Sequence, residues 1–134
     1  MGKLDDVSAE CNALSERVIG ATIAVHRELG PGFHEGTYQR AMVVELSHMG
    51  VACKTEVPVT LTYRDTPIGE GRMDLLVEST LVVELKAVNA PADRYARQVS
   101  HHLRATGHEL GLILNFHADK LTDGLARVVH TQTA

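Results

Sequence analysis

The sequence predicts an α/β fold in which a mixed central β-sheet is flanked by helices. Three observations carry that prediction. An apolar stripe at helical spacing occupies the first 29 residues, and from Val51 onward the period changes to two. Later runs such as Leu81-Val82-Val83 and Leu112-Ile113-Leu114 are apolar without alternation, which marks strands covered on both faces.

Val7, Cys11, Leu14, Val18, Ala21 and Val25 recur at spacings of four and three, one stripe of a long helix running to about Leu29. Gly30-Pro31-Gly32 ends it, because glycine suits the left-handed cap and proline cannot continue the run. A second helix is expected from about Glu35 to His48, burying Tyr38, Met42 or Ala41, and Met49, with Gly50 closing it. Val57, Val59, Leu61 and Tyr63 alternate with polar residues as a half-buried strand. Pro58 lacks a ladder donor, so that strand lies at an edge or carries a bulge. After the turn residues Arg64-Asp65-Thr66-Pro67 come two short apolar runs, Leu75–Val77 and Leu81–Val83, read as a central hairpin. A third helix is expected from Pro91 to Ala105 or Thr106, turning Ala92, Ala96, Val99 and Leu103 inward, with Gly107 as its stop. Leu110 to Phe116 then gives a buried strand, followed by a short helical turn and a last strand, Leu125 to Val129.

The 134 residues are expected to form one domain over 1–134, long enough to bury a core without disulfide or structural metal. The 44% hydrophobic and 22% charged content fits a soluble globular protein, and no apolar run approaches the ~20 residues of a membrane span. The acidic, polar start does not resemble a signal peptide, and Cys11 and Cys53 read as reduced core residues, so a cytoplasmic location is expected. Thirteen basic against seventeen acidic side chains, a net charge of −4, argues against a general nucleic-acid coating protein. It does not exclude a metal-bearing site among those acids, because a bound cation changes the local balance.

Glu84 and Lys86 project from the same face of their strand. If Glu78-Ser79-Thr80 is a three-residue loop, Val77 faces Leu81, and counting outward sets Asp74 opposite Glu84. Opposed carboxylates have Cβ atoms about 5 Å apart and repel one another unless a cation compensates. Asp74, Glu84, a backbone carbonyl such as that of Leu85, and waters form an all-oxygen set suited to Mg²⁺ or Mn²⁺. Lys86 beside them can hold the attacking water and offset charge building on a phosphate. For an E-x-K tripeptide taken alone, the alternative is a buried ion pair without catalysis.

Gly32-Phe33-His34-Glu35-Gly36-Thr37-Tyr38 matches G-x-x-E-x-x-Y. With Arg72-Met73-Asp74-Leu75-Leu76-Val77, Val82-Val83-Glu84-Leu85-Lys86-Ala87, and the stretches Gln98 to Gly107 and Gly111 to Phe116, the chain resembles the GxxExxY family over roughly residues 10 to 130. That family is placed within the PD-(D/E)XK nuclease-like superfamily. The resemblance implies a restriction-endonuclease-like core with an additional long N-terminal helix. It further implies Asp74 and Glu84 as metal ligands, Lys86 as catalytic lysine, Glu35 as an acid reaching the metal through water, and Gln98 as the polar residue on the following helix.

Tyr38, one turn after Glu35, either bonds within the site or is a core aromatic with a satisfied hydroxyl. Glu35 also suits the first turn of a helix on dipole grounds. Arg94, Arg97, His101 and Arg104 follow helical spacing and are candidates for phosphate contact, with a solvated helix face as the alternative. His34 is either an extra site residue or a surface histidine. Glu45-x-x-His48 is half of a di-iron pattern with no second copy, and H-E-x-x-H, paired cysteines, a P-loop, a Rossmann fingerprint and G-x-S-x-G are all missing.

The function expected is metal-dependent hydrolysis of phosphodiester bonds in nucleic acid, with DNA favoured. A homodimer or higher oligomer, with the first helix as interface, would bring two sites to a duplex. The alternative is a nuclease-fold module that binds nucleic acid or a protein partner without cleaving.

Overall fold

The computed structural model describes residues 7–130. Helix α1 (Ala9–Leu29) begins where the Ser8 hydroxyl accepts the Cys11 N–H, and Ser8 itself is held by the Glu109 carboxylate. Cys11, Val18, Ala21 and Val25 are buried along the expected stripe. Gly30, at φ 69°, ends α1, and its N–H returns to the His26 carbonyl. Helix α2 (Glu35–His48) buries Tyr38, Met42 and Leu46, while Ala41 stays half-buried.

Strands β1 (Cys53–Tyr63) and β2 (Thr66–Val77) form a long hairpin. Its turn is Arg64-Asp65, both residues left-handed, the two-residue geometry that matches strand twist. Here the structure differs from the sequence reading, which places the second strand only over the apolar run Leu75–Val77 and the adjoining Asp74. Thr66 to Arg72 is exposed apart from half-buried Gly71 and has Ile68 as its one large apolar side chain, so no apolar period announces it, and pairing with β1 alone makes it a strand. Strand β3 (Leu81–Lys86) returns through the three-residue loop with the expected register, Val77 opposite Leu81.

The third helix also differs. It starts at Ala96 rather than Pro91, because residues 92–95 form a 3₁₀ turn before α3 (Ala96–Thr106). Strand β4 (Leu110–Asn115) lies parallel to β3, and β5 (Leu125–Val129) lies antiparallel to β4. The sheet order is β1-β2-β3-β4-β5, so Pro58 sits on an edge strand as its missing donor requires.

The sheet separates two cores. Leu75, Val77, Leu81, Val83, Leu112 and Leu114 pack under α1 and α2. Leu76, Val82 and Ile113 face Val99 and Leu103 of α3. Strict alternation then breaks in β1 and β2 together. Cys53, Leu75 and Val77 belong to the α1/α2 core, yet the odd-numbered Val57, Val59 and Met73 pack on the α3 side. The change falls at Glu56 and Asp74, and Glu56 has φ 53° inside a strand. Beyond that level the hairpin becomes an arm lying over α3. The fit is close: a Cβ on Gly71 would stand 2.7 Å from His102 Nε2.

Candidate active site at the strand fork

Strand β2 pairs with β3 only from Leu75 to Val77. Past that point β1 carries β2 away, and the sheet forks. Asp74 is the first β2 residue in the fork, and Glu84 is the β3 residue opposite by count. Asp74 Oδ2 accepts the Leu85 N–H at 2.8 Å, so a carboxylate occupies a place the missing strand pairing leaves open.

Glu84 is buried, with a side chain only 6% exposed. Its Oε2 lies 3.5 Å from Lys86 Nζ, while Oε1 has no hydrogen-bond partner. Burial, reinforced by the charge of Asp74, pushes the Glu84 carboxyl up to about 7 although Lys86 opposes this. Burial also raises Asp74, with Glu56 and Glu35 adding to it while the Leu85 N–H and Lys86 pull the other way. The Lys86 ammonium stands 4.3 Å from the centroid of Tyr95, a cation–π contact that holds it from the α3 side.

Glu35 opens α2, and its Oε2 accepts the Ala87 N–H at 3.2 Å. With Gly36, Gln39, Glu56, Asp74 and Leu85 it lines a pocket of about 200 Å³ at the fork. Gln39 Nε2 donates to both Glu56 Oε2 and the Asp74 carbonyl, each at 2.9 Å. Buried Asn115, opposite Lys86 across the parallel pair, bonds the backbone of Val88, Ala90 and His117 and so fixes the segment leaving β3.

Asp74, Glu84, Lys86 and Glu35 therefore gather at one end of β3. Tyr38 does not contact substrate from where it stands: it is fully buried, stacked on Phe116 at 4.1 Å, and its hydroxyl bonds the Gly30 carbonyl and the Phe33 N–H. The core-aromatic alternative describes it. Gln98 is exposed on α3, one turn past Tyr95, and His34 is exposed before α2. Arg94, Arg97, His101 and Arg104 line an open groove of about 950 Å³ with Ser100 and Val128. That groove is larger than the fork pocket but contains none of the paired carboxylates, so chemistry rather than size marks the fork.

Four residues of the site do not stand out in the sequence. Gln39 carries a signal, since it lies one turn after Glu35. Tyr95 is hidden in the first turn assigned to a helix. Glu56 sits in an edge strand without a motif, and the position of Asn115 depends on which strand pairs with β3.

Among the described residues, no group of three or more His, Cys, Asp and Glu side chains is placed to hold a metal ion. An oxygen-seeking divalent cation needs less, because it keeps several waters and takes one or two carboxylates. The unpartnered Glu84 Oε1, with Asp74 beside it and both carboxyls raised, fits such a cation. Also among the described residues, no helix is long and apolar enough to cross a membrane.

Comparison with known families finds a match to the PD-(D/E)XK nuclease superfamily over residues 12–128, from α1 into β5. No curated protein and no solved structure matches the chain. Members of this superfamily typically use divalent metals, in keeping with the carboxylates at the fork. With the match covering nearly the whole chain and the mixed five-stranded sheet agreeing with it, the chain belongs to the PD-(D/E)XK nuclease superfamily.

Proposed function

We infer that this chain is a divalent-cation-dependent phosphodiesterase acting on nucleic acid, with DNA the favoured substrate. Superfamily membership supports a nuclease-like function. The observation that carries the finer reading is Glu84, a buried carboxylate with one oxygen unpartnered and the other 3.5 Å from Lys86. Such a group is costly to ionise unless something positive joins it.

Asp74, Glu84, the Leu85 carbonyl and, through water, Glu35 would hold Mg²⁺ or Mn²⁺, which supplies Lewis-acid stabilisation of charge on the phosphate. Lys86, steadied by Glu84 and Tyr95, orients the attacking water by donating to it. Gln98, one turn past Tyr95 on α3, is the further polar group assigned to the site. The Leu85 N–H keeps the Asp74 carboxylate in one orientation. In the G-x-x-E-x-x-Y segment, Tyr38 ties the loop before α2 and so sets where Glu35 begins the helix. Arg94, Arg97 and Arg104 take phosphates flanking the cut.

A second copy of the chain would present a second site to a duplex. The stripe of α1 is turned into the core, and the half-buried Leu14, Ile19 and Ile23 pack against that core too, so such an interface would use only the surface these three leave exposed. A monomer by light scattering at working concentration removes that part.

The deciding experiment is Mn²⁺- and Mg²⁺-dependent cleavage of single- and double-stranded DNA and RNA by the parent and Lys86→Ala. Cutting that needs the cation and is lost in the variant supports the reading and names the substrate. No cutting and no cation binding replaces it with the non-cleaving binding module.

A further inference from the structure

Among the described residues, five non-glycine positions have positive φ: Glu56, Arg64, Asp65, Glu78 and Ser79. Four of them sit in the two hairpin loops, where such angles make the turn. Glu56 alone stands inside a strand. A left-handed angle there is unfavourable for a residue with a Cβ, and it persists only where its surroundings impose it. Strain of this kind is found preferentially at functional sites, and Glu56 is level with Asp74.

What surrounds it is specific. Thr55 pairs with Leu75 and Val57 with Met73, yet Glu56 and Asp74, which face each other between those pairs, form no ladder pair. The Asp74 carbonyl is taken instead by Gln39 Nε2. That same nitrogen donates to Glu56 Oε2, so the carboxylate fixes the direction in which the Gln39 amide points. Arg72 stands 3.6 Å from Glu56 Oε1, an ion pair between two well-exposed side chains that adds little. Both strands change faces at this level, and Asp74 leaves the β2–β3 ladder here to place its carboxylate on the Leu85 N–H.

We propose that Glu56 is a positioning residue for Asp74: through Gln39 it holds the Asp74 backbone at the fork, and so sets where the Asp74 carboxylate meets the cation. The proposal rests on the nuclease reading for its purpose, while its geometry stands without it. Glu56 itself forms no hydrogen bond or ion pair with Lys86 or Glu84 and is not assigned as a ligand.

Two variants separate positioning from mere architecture. Glycine adopts φ 53° without strain, so Glu56→Gly relieves the backbone while removing the carboxylate. Glu56→Gln keeps an oxygen that accepts from Gln39. Hydrogen exchange of the Leu85 amide by NMR reads the Asp74 hydrogen bond with no metal present. Calorimetric titration with Mn²⁺ reads the site, with Asp74→Asn as the control that abolishes binding.

In Glu56→Gly the Leu85 amide is expected to exchange faster by on the order of 10-fold, with Val83 unchanged and Tm equal or higher. Mn²⁺ affinity falls by roughly 10–100-fold, as when other partners of metal ligands are removed. Glu56→Gln restores both to within a few fold. An unmoved Leu85 amide in Glu56→Gly, or a glutamine variant as impaired as the glycine one, overturns the assignment. Absence of Mn²⁺ binding in the parent overturns the nuclease reading instead, and the Leu85 amide still decides the role of Glu56.

Discussion

In β3 every residue from Leu81 to Leu85 is buried, whereas in β2 the stretch from Thr66 to Arg72 is exposed apart from half-buried Gly71. The first belongs to an inner sheet packed on both faces, the second to an arm that leaves it. The inner sheet keeps regular alternation, with Val83 and Leu85 toward α1 and α2 and Val82 toward α3. The arm loses alternation at Glu56 and Asp74 and changes the face it packs on. The proposed chemistry is assigned to the junction, where backbone pairing stops and the carboxylate of Asp74 takes the freed N–H. A sheet that remained regular through this level would pair Asp74 into the ladder and leave no opening between β2 and β3.

The largest expected effect tests the junction itself. Lys86→Ala should lower cleavage by on the order of 10²–10³-fold, the usual cost of losing one group that stabilises developing charge. The fold should survive, because Glu84 without its cationic neighbour takes up a proton instead of remaining a buried anion. A matched loss of activity and Tm would mean that Lys86 holds the inner sheet together rather than serving the fork.

The inner sheet is tested next. Leu112 is fully buried in β4, so Leu112→Ala should cost about 3 kcal/mol by denaturant titration. Ile68, 66% exposed on the arm, should change stability by less than about 0.5 kcal/mol as Ile68→Ala. Similar losses at the two positions would erase the distinction between core sheet and arm.

Legibility in the sequence divides along the same line. Burial on both faces leaves uninterrupted apolar runs, so β3 and β4 can be read directly, and the three-residue loop then places Asp74 opposite Glu84. Amphipathic α1 and α2 are equally readable, with stops at Gly30 and Gly50. The outer half of β2 is not, since an exposed strand held by backbone pairing puts no pattern into its side chains. Tyr95 escapes because a 3₁₀ turn and a helix start share the same residues. Glu56 escapes for a different reason: its role comes from a backbone angle and from Gln39, and neither is written in local composition. Of the proposed site, strand parity brings Asp74, Glu84 and Lys86 together, while their roles, and the assignments of Glu35 and Gln98, come from the family resemblance.

The pH dependence of stability sharpens the comparison further. The Glu84 carboxyl stands at about 7 in the folded chain against an ordinary value of 4.5. Between those values the folded state keeps a proton that the unfolded state has lost, so stability falls as pH rises from about 4.5 through about 7. The loss amounts to about 3 kcal/mol at most, at about 1.4 kcal/mol per unit. Asp74 shifts in the same direction. Glu84→Gln removes the Glu84 share, so by thermal melts it should exceed the parent in stability at about pH 8 and match it near the ordinary value of 4.5. Mn²⁺ should narrow the gap at the alkaline end by stabilising the parent alone. Parallel pH curves for the two proteins would show that Glu84 ionises freely and that the fork is more open to water than its burial implies.

The smallest effect concerns α3, which the arm covers on one side and which offers Arg94, Arg97 and Arg104 to an open groove on another. Each arginine is exposed, so Arg97→Ala and Arg104→Ala should leave stability within about 0.5 kcal/mol. If these side chains meet phosphates, each replacement weakens DNA binding a few fold whatever the sequence. It also flattens the dependence of log affinity on log salt by about 0.9 for each phosphate left without its arginine. The slope is the telling quantity, because a general change in net charge moves affinity without removing a defined number of released counterions. Tyr95 gives the row its link to the chemistry: it holds Lys86 at the end of α3 from which Arg97, His101 and Arg104 follow. A slope unchanged in both variants makes the row a solvated helix face. Nucleic acid would then reach the fork from the α2 side, past Glu35 and Gln39, where the pocket at Asp74 opens.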